Sequence, residues 1–266
     1  MMLNHQDMKS NKQKFKLISF FKLLPLQINK ELKKFKKFKV NNKNKKLFDP
    51  VTNVDKFIEK FIRDKIIKSY PDHKILGEEM KEKHSKSNHT WIIDPIDGTK
   101  NFIMGVPTWS NLVGLYYKGK SIISLANFPL LNTYYLAFNQ KAYKFEKNKK
   151  KLIKCNKKNK KKPNIVLNTL RPYKKPKIKK IENKFKGIFK VSGADALNFC
   201  LLSEGKIDIL IEKGLKKVDF FPLMSIIENS GALITDWNGG KKFKNGDVLV
   251  SGNKRNHLKI LKILKK

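Results

Sequence analysis

Apolar residues return at two spacings along the chain, and the changes of spacing outline its elements. Val54, Phe57, Ile58, Phe61 and Ile62 recur three and four apart, as on one buried face of a helix. Thr52 and Asp55 form a capping box at its start, with Asp in place of the usual Glu, and Tyr70-Pro71 closes it. A first amphipathic helix is expected from the apolar segment 17–26 on through 27–36, with a loose polar tail at 1–13. Residues 40–48 are Lys/Asn-rich and read as a hairpin or loop. A short strand at 74–76 leads into Gly77-Glu78-Glu79, a polar loop covers 81–90, and Trp91-Ile92-Ile93 is a buried-strand run. Residues 109–118, 121–127 and 133–138 read as sheet strands joined at Gly119 and Asn132. From residue 165 strands (165–168, 207–212, 232–235) alternate with helices (194–202, 219–229). Ser192-Gly193 enters the first of these helices; Pro222 sits in the first turn of the second and Gly231 stops it. Residues 141–162 hold twelve lysines and one acid, Glu146. They read as a solvated hairpin and linker between the halves, 14–145 and 146–266, of a single domain spanning 14–266.

Composition changes this picture less than its extremes suggest. With 266 residues, 40% of them hydrophobic, the chain can bury a sizeable core. No apolar run approaches the roughly 18–20 residues needed to cross a bilayer, so no membrane span is expected. The formal net charge of +38 points to a nucleic-acid or anionic-surface partner. Only Arg63, Arg171 and Arg255 are arginine, however, and base readers and phosphate forks favour Arg. The charge therefore reads as drift towards Lys and Asn over a solvated surface, with non-specific adhesion to polyanions at low salt. Cys155 and Cys200 form no CxxC pair, and two thiols in such a length point to a reducing cytoplasm. The five histidines lie in polar stretches and are expected at the surface.

The chemistry concentrates at residues 91–102, WIIDPIDGTKNF. A buried strand delivers Asp94 and Asp97 at its end. Pro95 stiffens the turn between them, Gly98 lets the backbone approach a ligand, and Thr99 adds a hydroxyl. Two carboxylates flanking a backbone carbonyl suit a hard cation such as Mg²⁺. Asp-Pro and Asp-Gly alone are common turn chemistry; the whole string is more than that.

That string resembles the first signature of the inositol monophosphatase superfamily of metal-dependent phosphatases. Gly77-Glu78-Glu79, residues 49–55 (DPVTNVD) and residues 217–231 (KVDFFPLMSIIENSG) resemble further family segments in family order, over roughly residues 14–260. The resemblance implies an α+β fold, a layered α/β/α/β/α sandwich with the site between the halves. It implies two or three Mg²⁺ ions held by Glu78, Asp94, the Ile96 carbonyl, Asp97 and Asp219. Thr99, hydrogen-bonded to Asp55, would orient and deprotonate the attacking water with help from Glu78. The N–H groups of Gly98 and Thr99 would hold phosphate. Asp97, Gly193, Ala194, Asp195, Glu212 and Asp219 would contact substrate. Asp55 and Asp219 also fit plain helix caps, and Glu79 reads as a solvated neighbour. The chain departs from the family at Val218, where Trp is common, and at Phe220-Phe221-Pro222 and Asn229-Ser230.

Gly105-Val106-Pro107-Thr108-Trp109, residues 193–199 (GADALNF) and residues 234–239 (ITDWNG) resemble the histidinol-phosphatase branch. The expectation is a phosphomonoesterase for a small phosphorylated alcohol, histidinol phosphate of histidine biosynthesis. Inositol-1-monophosphatase comes next, then 3′-nucleotide bisphosphate phosphatase, and, as a non-enzyme, an RNA- or ribosome-associated member. A homodimer is implied by the resemblance alone.

Overall fold

The computed structural model describes residues 11–43, 50–147, 149–168 and 175–265. Its first half runs α1 (Asn11–Leu32), β1 (Val40–Asn42), β2 (Pro50–Thr52), α2 (Asn53–Ser69), β3 (Lys74–Gly77), β4 (His89–Asp97) and α3 (Thr99–Met104). β5 (Ser110–Tyr117), β6 (Lys120–Phe128), β7 (Thr133–Phe138), β8 (Lys141–Glu146) and β9 (Lys149–Leu152) follow. The second half is β10 (Ile165–Leu167), α4 (Lys175–Phe185), β11 (Phe189–Val191), α5 (Asp195–Ser203), β12 (Ile209–Glu212), α6 (Lys217–Phe220), α7 (Met224–Asn229), β13 (Leu233–Thr235), β14 (Val248–Ser251) and α8 (Lys254–Leu264).

Strands β3 to β9 form one seven-stranded sheet in chain order; the second sheet has the order β11-β10-β12-β14-β13. Leu17, Phe21, Leu24 and Ile28 of α1 join Val54, Ile58 and Ile62 of α2 over one face of the larger sheet. Its other face meets Phe199 and Leu202 of α5, Ile226 and Ile227 of α7, and Leu210 and Val250 of the smaller sheet. Ile178 and Ile181 of α4 and Ile260 and Leu264 of α8 close the far side. Five layers result, helix, sheet, helix, sheet, helix, as expected. No described helix is long and apolar enough to cross a membrane.

The capping box of α2 is present. The Thr52 hydroxyl accepts from the N–H groups of Val54 and Asp55, and the Asp55 carboxylate accepts from the Thr52 N–H at 2.9 Å. Several boundaries differ from the sequence reading. α1 takes in residues 11–13 and stops at Leu32, with Pro25 inside it, and residues 1–10 lie outside the described residues. Residues 44–49 of the expected 40–48 loop are likewise outside them. Strands β8 and β9 extend the large sheet rather than standing apart, with Phe145 stacked on Tyr134 and Tyr143 packed at a tilt against Phe138. Pro222 divides the expected 219–229 helix into α6, a 3₁₀ turn (Phe221–Leu223) and α7. The expected surface position of His257 is corrected. It is 3% exposed, its ring 2.9 Å from the hydroxyls of both Ser251 and Thr235, and burial lowers its pKa to about 4.

Candidate active site

Strand β4 runs four residues beyond the expected Trp91-Ile92-Ile93, through Asp97, and a bulge explains how its carboxylates meet. Asp94 pairs with Leu112 and Asp97 with Ser110, so three steps on β4 oppose two on β5. In an unbroken strand, residues three apart face opposite sides; one extra residue returns both to the same side. Pro95 suits that position because it lacks the N–H the ladder would need. Its carbonyl accepts from Asn111 Nδ2 at 2.6 Å, and Asn127 Nδ2 bridges Asn111 and Asn29 at 2.8 Å each. A polar chain thus ties the bulge back to α1.

Beyond the bulge, Gly98 adopts the left-handed conformation (φ 80°) that turns the chain into α3. Thr99 then lies with its hydroxyl 3.2 Å from the Ile96 carbonyl and 3.4 Å from Asp55 Oδ1. Asp55 is therefore both the cap of α2 and the neighbour of Thr99. Burial raises its pKa against the opposing hydrogen bonds from Thr52.

Glu78 is delivered by a backbone clamp that the sequence reading missed. Glu59 and Arg63 are one helical turn apart on the buried face of α2, and Arg63 Nε donates to Glu59 Oε1 at 2.8 Å. Glu59 accepts from the N–H groups of Glu79 and Met80 at 2.6 and 3.2 Å; Arg63 donates to the Met80 carbonyl at 3.2 Å. A Cβ on Gly77 would lie 2.0 Å from Glu59 Oε1, so only glycine admits this approach. The available signal was an opposite-charge pair placed inside an apolar stripe. Glu79 is not the solvated neighbour expected: its side chain is 4% exposed and paired with Lys43.

The carboxylates converge from both halves. Asp94 and Asp97 are buried, and burial pushes both well above the usual carboxylate range. Glu78, Asp97, Asp219 and Asp55 add repulsion at Asp94; Asp195 and Asp219 add it at Asp97. Asp97 Oδ2 also accepts from Ser110 Oγ at 3.3 Å and the Ala196 N–H at 3.4 Å, which joins β4 to α5. Asp219, at the start of α6, is raised to about 6 by burial, although the Lys216 N–H donates to it at 2.6 Å. Asp195 is raised to about 7 by burial and by Asp219. Glu212, at the end of β12, is raised well above its ordinary value by burial and by Asp195. Asp195 Oδ1 and Glu212 Oε1 are buried and have no hydrogen-bond partner among the described residues. Gly193 faces open space, and its carbonyl accepts from Asn101 Nδ2 of α3 at 2.7 Å.

Glu78 behaves oppositely. Burial works against its charge, but Lys43 and Lys216, 3.1 and 3.0 Å from Oε1, hold its pKa below the usual value. Among the described residues no three His, Cys, Asp or Glu side chains stand close enough together to chelate one ion. Two ammonium groups provide positive charge at Glu78 instead. The donor set is nonetheless all hard oxygen, crowded, buried and short of positive charge at Asp94 and Asp97, which fits a divalent cation of the Mg²⁺ type.

A model of the inositol monophosphatase family matches residues 24–266. The chain is 34% identical over 213 residues to the bifunctional phosphatase IMPL2, chloroplastic, of Arabidopsis thaliana. That match covers 78% of this chain and 60% of the relative's length. It is 33% identical to the fructose-1,6-bisphosphatase/inositol-1-monophosphatase of Aquifex aeolicus, over 88% of each. The solved inositol monophosphatase from Zymomonas mobilis superposes with a TM-score of 0.77 at 22% identity, over 97% of this chain and all of that one.

Proposed function

This chain belongs to the inositol monophosphatase family of phosphoric monoester hydrolases, and on that premise we propose that it is a Mg²⁺-dependent histidinol-phosphatase. The observation that carries the substrate choice is the pair Asp195 and Glu212, buried carboxylates that repel one another, each with an oxygen that has no hydrogen-bond partner among the described residues. An alcohol bearing an ammonium group satisfies both charge and hydrogen bonding there. Inositol hydroxyls donate hydrogen bonds but bring no charge. Inositol-1-phosphatase is the second reading, favoured by the likeness to the Aquifex aeolicus protein of that description. The two buried free thiols, Cys155 and Cys200, accord with a reducing cytoplasm.

In this proposal Glu78, Asp94, the Ile96 carbonyl, Asp97 and Asp219 hold Mg²⁺. When bound, Mg²⁺ neutralises phosphoryl charge and stabilises the departing alkoxide. The chain's own groups do the rest. The backbone N–H groups of Gly98 and Thr99 receive phosphoryl oxygens. Thr99 Oγ directs its hydrogen to Asp55 or the Ile96 carbonyl and accepts one from the attacking water. Asp55, with its pKa raised by burial, is the better proton acceptor for it. Asp97, bound to Ser110 and the α5 backbone, holds the two halves in register around substrate.

Lys43 must leave Glu78 when a cation arrives. Lys43→Gln is expected to shift the midpoint of a calorimetric Mg²⁺ titration to roughly fivefold lower concentration, about 1 kcal/mol. An unchanged midpoint would remove Lys43 as a competitor.

The deciding experiment is phosphate release with Mg²⁺ from histidinol phosphate, inositol 1-phosphate and 3′-phosphoadenosine 5′-phosphate. Asp195→Asn is expected to lower kcat/KM for histidinol phosphate by roughly 10- to 150-fold, from a charge-assisted contact of about 1.5–3 kcal/mol. Inositol 1-phosphate should lose far less. Equal losses, or a wild-type preference for inositol 1-phosphate, would transfer the assignment to the second reading.

A further inference from the structure

A cavity of about 560 Å³ opens between the start of α6 and the loop joining β13 to β14. That volume lies in the range of small-ligand sites. Lys216 and Lys217 of the α6 segment and Lys242 and Lys244 of the loop line it, together with Phe220 and Phe243. Among the described residues that line it there is no carboxylate. The catalytic cleft next to it has the opposite character. Lys216 joins the two, since its Nζ reaches Glu78 Oε1 at 3.0 Å, and Asp219 follows on the same short helix.

The two lysine-bearing segments are fixed to one another. The Leu215 N–H donates to the Gly246 carbonyl at 3.0 Å, and the Gly246 N–H donates to the Phe243 carbonyl at 3.1 Å. Asp236 accepts from the N–H groups of Asn238 and Gly240 at 2.9 Å, Lys242 at 3.2 Å and Phe243 at 3.4 Å. These bonds outweigh desolvation and lower the Asp236 pKa. Phe243 holds a left-handed backbone conformation (φ 47°), costly for an aromatic residue, and its ring packs on Phe220 with centroids 5.3 Å apart. The loop that carries Lys242 and Lys244 to the cavity lining is thus held in a strained shape.

We propose that this cavity is a second anion subsite, taking a phosphoryl group other than the one hydrolysed. Lysine serves phosphate as a flexible point charge, and several ammonium groups around one concavity suit a diphosphate or a second phosphate of the same molecule. The subsite goes beyond the hydrolytic reading and does not depend on which monoester is preferred.

The test compares two charge-matched triple variants of the full chain. Lys217→Gln/Lys242→Gln/Lys244→Gln removes the cavity's charge but leaves Lys216. Lys149→Gln/Lys150→Gln/Lys151→Gln removes the same charge from β9. Calorimetry with inorganic pyrophosphate at physiological salt, with EDTA present, reads the subsite while the catalytic carboxylates repel the probe. At least a tenfold weaker Kd is expected for the first variant and less than twofold for the second. Equal losses, no loss in either, or no pyrophosphate binding by the unaltered chain would overturn the proposal. Steady-state kinetics with Mg²⁺ then separates the sources. A higher KM for 3′-phosphoadenosine 5′-phosphate, with inositol 1-phosphate unaffected, assigns the group to the substrate. Unchanged values for both assign it to a separate diphosphate ligand. The activity of this variant on monophosphates is expected to be retained, so failure of the subsite and failure of the proposed function are read from different data.

Discussion

Replacing Asp94 by Asn is expected to lower Mg²⁺-dependent turnover on the order of 10³-fold or more, about 4 kcal/mol of transition-state stabilisation. The fold should survive. Asp94 is buried and accepts from the Ile96 N–H at 3.1 Å, and an Asn oxygen can accept the same bond. Stability without metal should even rise. Asp94 is repelled by Glu78, Asp97, Asp219 and Asp55, and a neutral amide relieves all four. Thermal unfolding in EDTA measures this, with an equal or higher Tm expected. Loss of activity with a lower Tm would describe a damaged fold; near-normal turnover would sink the metal assignment.

The second large effect belongs to Thr99 and Asp55. Thr99→Ala should lower kcat by roughly 10²- to 10⁴-fold, the usual contribution of positioned proton transfer. Asp55→Asn should fall in the same range, and the double variant should be little worse than the poorer single one, because the groups act as a unit. Asp55 also caps α2, and a lost cap costs about 0.5–2 kcal/mol of stability. Asn can still accept from the Thr52 N–H, so most of the cap persists while the proton acceptor is gone. If capping were its whole contribution, Asp55→Asn would alter Tm slightly, leave kcat near normal and add independently to Thr99→Ala.

Local sequence determined a good deal about this protein. The capping box at Thr52–Asp55 was legible because all its parts lie within four residues. The strand ending in two carboxylates was legible because apolar run, proline and glycine follow one another in WIIDPIDGTKNF. The family order of four such segments carried the layered fold. Elements without that local contrast were missed. α4 and α8 hide their buried Ile and Leu among lysines, and β14 forms only as the partner of β12 and β13.

Tertiary structure alone decided the rest, because those contacts join residues far apart in the chain. The Glu59–Arg63 clamp places Glu78 from 15 to 19 residues away, through backbone groups that carry no sequence signature. The bulge that returns Asp94 and Asp97 to one side exists only in register with β5. The presence of Lys43 and Lys216 on Glu78 follows from packing, not spacing: sequence could count positive charges but could not say which two would reach a half-buried carboxylate. His257, in a polar stretch, is buried because Ser251 and Thr235 arrive from two other elements to satisfy both ring nitrogens. Periodicity assigns a residue to a face; only the packing of other elements on that face decides whether its charge meets water, a partner or another charge.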